Sequence, residues 1–177
     1  GKPIKIARAV DASRSVANFR FFAEFSKDFH QQKFLMEDAT NHVIFKPVGI
    51  AGLITPWNLP LYLLSWKIAP AIVMGNTVVA KPSELTPLTA NLLAEVFDEV
   101  GLPAGVVNIV HGFGHETGQA IVSHPLVNLI SFTGGTITGK KVAETAAPMF
   151  KKLSLELGGK NATIVLDDVN LDSAIPE

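Results

Sequence analysis

The chain has 177 residues, 47% of them hydrophobic and 18% charged, which is typical of a folded globular domain and unlike a disordered segment. Fifteen Lys and Arg against sixteen Asp and Glu give a formal charge of −1, so the basic excess that nucleic-acid binding requires is missing and no nucleic-acid partner is expected. No apolar run reaches the length of a membrane span, and the absence of cysteine excludes disulfides and cysteine-based metal sites.

The N-terminal 48 residues are predicted to form a helix followed by a hairpin. Apolar side chains recur at helical spacing over residues 11–29, with charged residues between them, which predicts an amphipathic helix whose aromatics pack into the core. Two short strand-like runs in residues 34–48 surround a polar turn cluster at 37–41, which favours an antiparallel hairpin. We therefore expect a division into residues 1–48 and a second unit at 49–177.

From Gly49 onward, short apolar runs alternate with helical segments. Runs with few polar interruptions are typical of strands buried on both faces of a parallel sheet. The predicted fold class is α/β, a doubly wound and mostly parallel sheet of the variant Rossmann kind. The candidate strands are Gly49–Ile54, Thr77–Lys81, Val106–Val110, Leu129–Thr133 and Ala162–Leu166.

Start and stop signals place four helices between these strands. The first runs over residues 60–74 and ends at Gly75, and the second is expected to have Thr86 as its cap, Pro87 at its first position and Gly101 just past its end. A third is predicted after the Gly112-Phe-Gly114 turn as far as His124, and a fourth after Gly134-Gly135 as far as about Ala147.

Ligands of such sheets bind at the carboxyl ends of the strands. The loop Gly112-Phe-Gly-His-Glu-Thr-Gly118 could let a dinucleotide approach the backbone closely and place a phosphate near helix N–H groups. Its spacing, G-x-G-x-x-x-G, departs from the standard fingerprint, and by itself it fits a plain glycine-rich turn equally well. The acidic residue expected after the glycines is replaced by one before them, Glu84.

Three segments together resemble the aldehyde dehydrogenase superfamily: Leu153-Ser-Leu-Glu-Leu-Gly-Gly-Lys-Asn161, Thr55-Pro-Trp-Asn-Leu-Pro60 and Ala80-Lys-Pro-Ser-Glu84. The resemblance covers nearly the whole chain and is strongest from Pro47 to Ala174. Within the superfamily, residues 14–23 and 58–67 look most like the 2-aminomuconic semialdehyde dehydrogenases. The family's catalytic cysteine lies beyond the Glu-Leu-Gly-Gly motif, so the chain is expected to be a fragment that stops before it.

The resemblance implies NAD as the cofactor. Lys81 and Glu84 match the residues that hold the adenosine ribose hydroxyls, and a carboxylate at Glu84 favours NAD because it would repel a 2′-phosphate. Gly135 stands where the family has a serine, and Thr136 could replace the lost hydroxyl. The implied cofactor-binding residues are Ile54, Thr55, Pro56, Trp57, Lys81, Ser83, Glu84, Gly114, Gly118, Phe132, Thr133, Gly134, Gly135, Leu157 and Gly158.

Two catalytic residues are implied in the same way. Asn58 matches a side-chain amide that stabilises the developing oxyanion, although it also fits a turn bounded by prolines. Glu156 matches the general base that activates water for hydrolysis of a cysteine thioester. Strand alternation alone would make Glu156 a solvent-facing residue, but Gly158-Gly159 directly after it permit a sharp backbone turn beside a ligand.

The scattered histidines indicate no metal site, because His111 and His115 lie on either side of a glycine turn. The expected partners are a small-molecule aldehyde and further copies of the chain as a dimer or tetramer, with no membrane partner, and the cytoplasm is the default compartment. Two alternatives to the enzyme remain at this point: a nucleotide-binding module without catalysis, and structural association through the 34–48 hairpin.

Overall fold

The N-terminal part of the chain is helical up to Lys27 and then forms a hairpin, in a computed structural model that describes residues 2–175. A short helix α1 (Ile4–Ile6) continues through a π-helical segment (Ala7–Ala12) into α2 (Ser13–Lys27). Strands β1 (Gln32–Leu35) and β2 (Thr40–Val43) pair antiparallel as predicted. The helical region begins at Ile4, earlier than the predicted start at residue 11.

The buried face of α2 differs from the prediction. Phe25, one of the aromatic residues predicted to pack into the core, is 46% exposed. The residues that α2 buries are Ser15 and Asn18, and the Asn18 amide donates a 2.9 Å hydrogen bond to the Ser65 hydroxyl of the next helix, α3 (Pro60–Val73). This hydrogen bond and the contact between the Phe22 and Trp66 rings join the two helices, whereas Phe21 and Phe25 remain largely exposed.

Five parallel strands form the central sheet. They are β3 (Ile50–Ile54), β4 (Thr77–Lys81), β5 (Val107–Ile109), β6 (Val127–Thr133) and β7 (Lys152–Glu156), in the order β5-β4-β3-β6-β7. The predicted doubly wound parallel sheet is confirmed. The chain fills one half of the sheet from β3 outward and then returns to the other side of β3, so the topological switch point lies between β3 and β6.

One predicted strand, Ala162–Leu166, is wrong. The fifth strand is β7, which pairs with β6 through Leu155 opposite Phe132. Residues 162–166 have no regular secondary structure, and Ile164 is 82% exposed. An apolar β-branched run favours a strand only where a neighbouring strand offers backbone partners, and within residues 2–175 none lies beside this run.

Helices cover both faces of the sheet. One face carries α3 with α4 (Leu88–Glu99), and the other carries α5 (Gln119–Ser123), which follows a π-helical turn (Gly114–Gly118), and α6 (Thr136–Ala146). A 3₁₀ turn (Ala147–Met149) follows α6, and α7 (Leu171–Ala174) lies near the end. The predicted helices are thereby confirmed within a few residues.

The ends of the middle helices test the capping predictions. Gly101 has a φ of +75°, and Leu102 N–H donates to Phe97 O at 2.9 Å, as in the predicted glycine-terminated helix. Thr86 is not a cap: its hydroxyl has no hydrogen-bond partner, and α4 begins without a side-chain cap. Pro87 already has helical backbone angles, so its fixed φ starts the helix in place of a capping hydroxyl.

Two apolar clusters lie on opposite faces of the sheet at β3. Leu53 packs toward Leu64 and Ile68 of α3, all at most 1% exposed, and burial of each such side chain contributes roughly 1.5–3 kcal/mol. Ile54 packs on the other side with Ile130. Gly52 of β3 faces α5. A Cβ at this position would overlap the Ile121 side chain, so the glycine lets α5 pack closely against the sheet.

Candidate active site

The carboxyl ends of all five parallel strands meet at one edge of the sheet. The loops that follow β3 and β6 flank the switch point, where open α/β sheets bind their ligands. The residues predicted to bind or react lie at the carboxyl ends of the five strands or in the segments that follow them. The sheet topology thus brings together residues that are far apart in the sequence, such as Asn58 and Gly158, which are 100 residues apart.

A cavity of about 780 Å³ lies between the loop after β3, helix α3 and the ends of β6 and β7. It brings the two predicted catalytic residues, Asn58 and Glu156, to the walls of one space. The cavity lining also includes Pro56, Trp57, Leu59, Tyr62, Leu63, Trp66, Lys67, Thr133, Gly134, Gly135, Leu157 and Gly158. A neutral amide and a carboxylate on one cavity can serve as an oxyanion donor and a base.

Glu156 is the last residue of β7, and backbone contacts fix its position. Its carbonyl accepts from Gly134 N–H at 3.0 Å, which ties the end of β7 to the end of β6. Its side chain is exposed, as strand alternation suggests. The next residue, Leu157, covers Gly139 so closely that a Cβ on that glycine would overlap the leucine side chain.

Asn58 lies in the loop that leads into α3. The Asp11 carboxylate binds the start of that helix. Its Oδ1 accepts from Tyr62 N–H at 3.0 Å, and its Oδ2 accepts from the Lys2 ammonium at 2.8 Å. A carboxylate at a helix N-terminus satisfies a free N–H group and interacts favourably with the helix dipole. The N-terminal helical segment therefore helps to position the loop that carries Asn58.

Lys81 and Glu84 form an ion pair at the end of β4. The Lys81 ammonium, on a residue that is 2% exposed, donates to Glu84 Oε2 at 3.1 Å and to Pro82 O at 3.0 Å. The pKa of Glu84 is lowered, first by a hydrogen bond from its own backbone and next by the bond from Lys81. Ser83 is buried, and its hydroxyl accepts from Leu85 N–H at 3.3 Å, which shapes the loop between them.

The glycine turn after β5 packs against this pair. A Cβ on the buried Gly118 would lie 3.7 Å from Lys81 Cδ, which is ordinary van der Waals contact. Gly112 has a φ of +143°, and a Cβ there would collide with the Thr117 hydroxyl, so only glycine fits the bend. Gly114 and Gly135 have no atom within 4 Å of an added Cβ, so the space beside their backbone is open.

Three of the remaining predicted cofactor residues, Ile54, Thr55 and Phe132, are buried. Ile54 and Phe132 belong to the apolar core, at 9% and 5% exposure, and the Phe132 ring lies against Gly134. Thr55 is 3% exposed, and its hydroxyl has no hydrogen-bond partner. These residues support the carboxyl edge from below, whereas Trp57, 61% exposed, reaches into the solvent beside it.

Sequence reasoning missed Lys67. It projects from α3 into the cavity lining, is 7% exposed, and donates from its ammonium to the Ser131 hydroxyl at 2.7 Å. Burial lowers its pKa to about 8, an effect that the nearby Glu156 carboxylate partly opposes. The available signal was a single lysine inside an otherwise apolar helix, which indicates a buried charge rather than a surface residue.

Residues 2–175 contain no cluster of three or more His, Cys, Asp or Glu side chains suited to a metal ion. In the same range no helix combines the length and the apolar character that a membrane crossing needs.

Comparison with known proteins gives one consistent result. The profile described as "Aldehyde dehydrogenase family" matches residues 1–177. The chain is 54% identical over 178 residues to 2-aminomuconic semialdehyde dehydrogenase of Homo sapiens, covering 99% of this chain and 37% of the relative. It is 49% identical over 181 residues to 2-hydroxymuconic semialdehyde dehydrogenase of Pseudomonas sp. (strain CF600), again covering 99% and 37%. The chain thus spans little more than a third of these relatives.

A solved structure described as the NAD⁺ complex of aldehyde dehydrogenase from Bacillus cereus superposes with a TM-score of 0.95 at 43% identity. It covers 98% of this chain, which corresponds to 36% of that protein. A structure of PnpE in complex with nicotinamide adenine dinucleotide superposes with a TM-score of 0.94, also at 43% identity, with the same coverage of 98% and 36%.

Proposed function

This chain belongs to the aldehyde dehydrogenase family, and from that premise we propose that it forms the NAD-binding part of an enzyme that oxidises an aldehyde to a carboxylic acid. The observation that carries the proposal is the shared edge of the sheet, where the cavity with Asn58 and Glu156 lies beside the open glycines and the Lys81–Glu84 pair. One site thus has groups for cofactor binding and groups for acyl chemistry.

The residues fit a dinucleotide at the level of side-chain chemistry. Glu84 can accept a hydrogen bond from a ribose hydroxyl, and Lys81 can donate one to a ribose oxygen. Gly135 is the N-cap residue of α6, so a phosphate could approach the free N–H groups at the start of that helix. When bound, NAD supplies an acceptor for the hydride that leaves the aldehyde carbon. The chain's own contribution is to hold the two ends of the cofactor along the carboxyl edge and to exclude other orientations.

Two side chains are assigned to the acyl chemistry. Asn58 donates a hydrogen bond to the oxygen that becomes negative when a cysteine thiolate adds to the aldehyde. Glu156 takes a proton from water, and the resulting hydroxide attacks the thioester and releases the acid and the thiolate. The thiolate must come from protein outside these 177 residues, since this sequence contains no cysteine.

The substrate class proposed is a semialdehyde that also carries a carboxylate, such as 2-aminomuconic semialdehyde. Support comes from the names of several relatives and from Arg14, whose guanidinium lies 5.5 Å from the ring centroid of Tyr62, a lining residue of the cavity. A cation beside a lining residue of the cavity would attract an anionic substrate. We also propose that the β1–β2 hairpin, all of whose residues are exposed, contributes to a homo-oligomeric interface.

The test of the catalytic assignment is Glu156→Gln in a longer protein that contains this chain and the cysteine. Steady-state turnover should fall by a factor on the order of 10²–10⁴, while a rapid first turnover of NADH formation persists, because acylation does not need the base. Glu144→Gln, an exposed change on α6, is the matched control. Unchanged turnover in Glu156→Gln would defeat the assignment.

A second function applies to the 177-residue chain by itself: it binds the cofactor without oxidising aldehydes. The absence of cysteine favours it. Calorimetry with NADH should detect binding, and an assay with aldehyde and NAD should show no NADH formation. Aldehyde oxidation by the cysteine-free chain would contradict both this reading and the thiolate mechanism.

A further inference from the structure

The segment that carries Asn58 is short and is fixed at its first residue. It connects the end of β3 at Ile54 to the start of α3 at Pro60 through five residues. Thr55, the first of them, donates from its N–H to Lys81 O at 3.1 Å, which ties it to the neighbouring strand. Because the connection is so short, the position of the first turn of α3 determines where Asn58 lies.

The first turn of α3 has no capping side chain of its own. Leu59 occupies the N-cap position without a side-chain acceptor, and Pro60 has no N–H group. Asp11, 51 residues before Tyr62, supplies the missing acceptor through its 3.0 Å hydrogen bond from Tyr62 N–H. The Asp11 side chain is only 13% exposed, and the Lys2 ammonium donates to its other oxygen. The N-terminal helical segment therefore caps α3.

A second residue of the N-terminal segment binds the carbonyl side of the same residue. Asn18 Nδ2 donates to Tyr62 O at 3.1 Å and to Ser65 Oγ at 2.9 Å. Asn18 is 4% exposed and Ser65 is 0% exposed, so water does not readily replace either partner. Both backbone polar groups of Tyr62, which lines the cavity together with Asn58, are thus bonded to side chains of the N-terminal helices.

Asn58 lies between two open spaces. One is the cavity that it shares with Glu156. The other, of about 580 Å³, is lined by Asn58 and Trp57 together with Asp11 and Lys2. Asn58 is also exposed, so the direction of its amide depends on the backbone of its segment more than on packing around the side chain.

We propose that Asp11 and Asn18 are positioning residues for the oxyanion. By binding both backbone polar groups of Tyr62 they fix the start of α3, and this orients the Asn58 amide. The proposal rests on the proposed role of Asn58 in aldehyde oxidation. An oxyanion donor is effective only when it is oriented in advance toward the developing charge. Loss of Asp11 or Asn18 therefore slows the first chemical step, while aldehyde binding changes little.

The test is a double-mutant cycle in a longer protein that contains this chain and the cysteine. The quantity measured is the first-order rate constant of NADH formation in the first turnover, at saturating aldehyde and NAD, because it does not depend on the fraction of folded enzyme. Asn58→Ala should lower this rate constant by about 10²–10³-fold. Asp11→Ala should lower it about five- to twenty-fold, with the KM for the aldehyde changed less than about three-fold.

The second arm of the cycle separates a positioning role from a general structural one. In the Asn58→Ala background, Asp11→Ala should lower the rate constant by less than about two-fold, because no amide remains to be misaligned. Asp11→Asn keeps an oxygen that can accept from Tyr62 N–H and should retain about half of the original rate constant or more. Asp28→Ala, at an exposed carboxylate after α2, is the matched control and should leave the rate constant unchanged.

Asn18→Ala repeats the cycle from the other contact. It removes the donor to Tyr62 O and should lower the rate constant about three- to ten-fold when Asn58 is present. In the Asn58→Ala background it should lower the rate constant less than about two-fold. This variant decides the question if Asp11→Ala yields no folded protein.

Two results would overturn the inference, and a third would remove its premise. Equal falls for Asp11→Ala in both backgrounds would show that Asp11 does not act through Asn58. Unchanged rate constants in Asp11→Ala and Asn18→Ala would show that the amide is oriented without them. If Asn58→Ala itself keeps the original rate constant, Asn58 is not the oxyanion donor, and that part of the proposed function is wrong together with the inference.

Discussion

Two buried lysines in the same site have opposite surroundings. The Lys81 ammonium lies between a carboxylate and a carbonyl oxygen, at 3.1 and 3.0 Å. The Lys67 ammonium has one hydroxyl partner, Ser131, at 2.7 Å, and burial lowers its pKa to about 8. A close counter-ion offsets the desolvation of a buried lysine such as Lys81, whereas Lys67 carries a desolvation cost that lowers its pKa to about 8.

The largest expected effect separates the two lysines by ligand binding. Lys81→Met should weaken NADH binding ten- to a hundred-fold, because it removes the cation at the ribose end and frees the Glu84 carboxylate. Lys67→Met should change NADH binding less than three-fold. Calorimetric titration of the 177-residue chain measures both, and equal losses in the two variants would mean that the lysines do not differ in role.

The second effect separates them by stability. Below pH 8 the folded chain holds a buried ammonium at Lys67 against a pKa lowered from 10.5 to about 8, a cost on the order of 3 kcal/mol. Lys67→Met, which removes the charge but fills similar space, should raise the free energy of unfolding at pH 7 by about 2 kcal/mol in urea denaturation. Lys81→Met should not raise it. A destabilised Lys67→Met would show that the Ser131 hydrogen bond outweighs the desolvation.

The contribution of Lys67 to the free energy of unfolding should depend on pH. Between pH 8 and 10.5 the unfolded chain holds more protons at Lys67 than the folded chain does, so this lysine makes the free energy of unfolding rise with pH. The advantage of Lys67→Met at pH 7 should therefore shrink to below about 0.5 kcal/mol at pH 10.5. Urea melts of both proteins at pH 7, 8.5, 9.5 and 10.5 measure it. A constant difference across this range would contradict the lowered pKa.

A smaller effect concerns the partner of Lys67. Ser131→Ala removes the hydroxyl that accepts from the ammonium, and it should lower the free energy of unfolding by about 1 kcal/mol at pH 7. In the Lys67→Met background the same substitution should cost less than about 0.5 kcal/mol, because the charge is gone. Equal costs in both backgrounds would show that Ser131 acts through packing alone.

The smallest effect comes from a surface pair that serves as a reference. Lys27 and Glu24 on α2 are 2.8 Å apart, but both side chains are about two-thirds exposed. Lys27→Met should change the free energy of unfolding by less than about 0.5 kcal/mol, because water and salt screen the pair. An effect as large as that of Lys67→Met would mean that burial is not the cause of the difference.

The sequence predicts much of the fold because strand and helix signals act locally. The run Thr77–Lys81 has the bounds of β4, and the glycine after α4 ends that helix as predicted. The strand predicted at Ala162–Leu166 is wrong because a strand needs a neighbouring strand, and that neighbour is not encoded in the local sequence. The prediction that Phe25 packs into the core is also wrong, because periodicity identifies an apolar helix face but not which part of that face other elements cover.

The candidate site is predicted to the extent that its residues lie in loops with motifs. The Lys81–Glu84 pair follows from such a motif, and the structure places its two side chains together. Lys67 has no motif of its own, and only its burial in the folded chain reveals it.

NMR of the ¹⁵N-labelled 177-residue chain during titration with NADH would locate the dinucleotide site residue by residue. If NADH binds at the proposed site, amide shifts should cluster at the carboxyl edge of the sheet, in residues 54–58, 81–84, 112–118, 132–135 and 156–158. The hairpin at 32–43 should not shift. Absent shifts, or shifts that centre on the hairpin, would contradict a dinucleotide site at this edge.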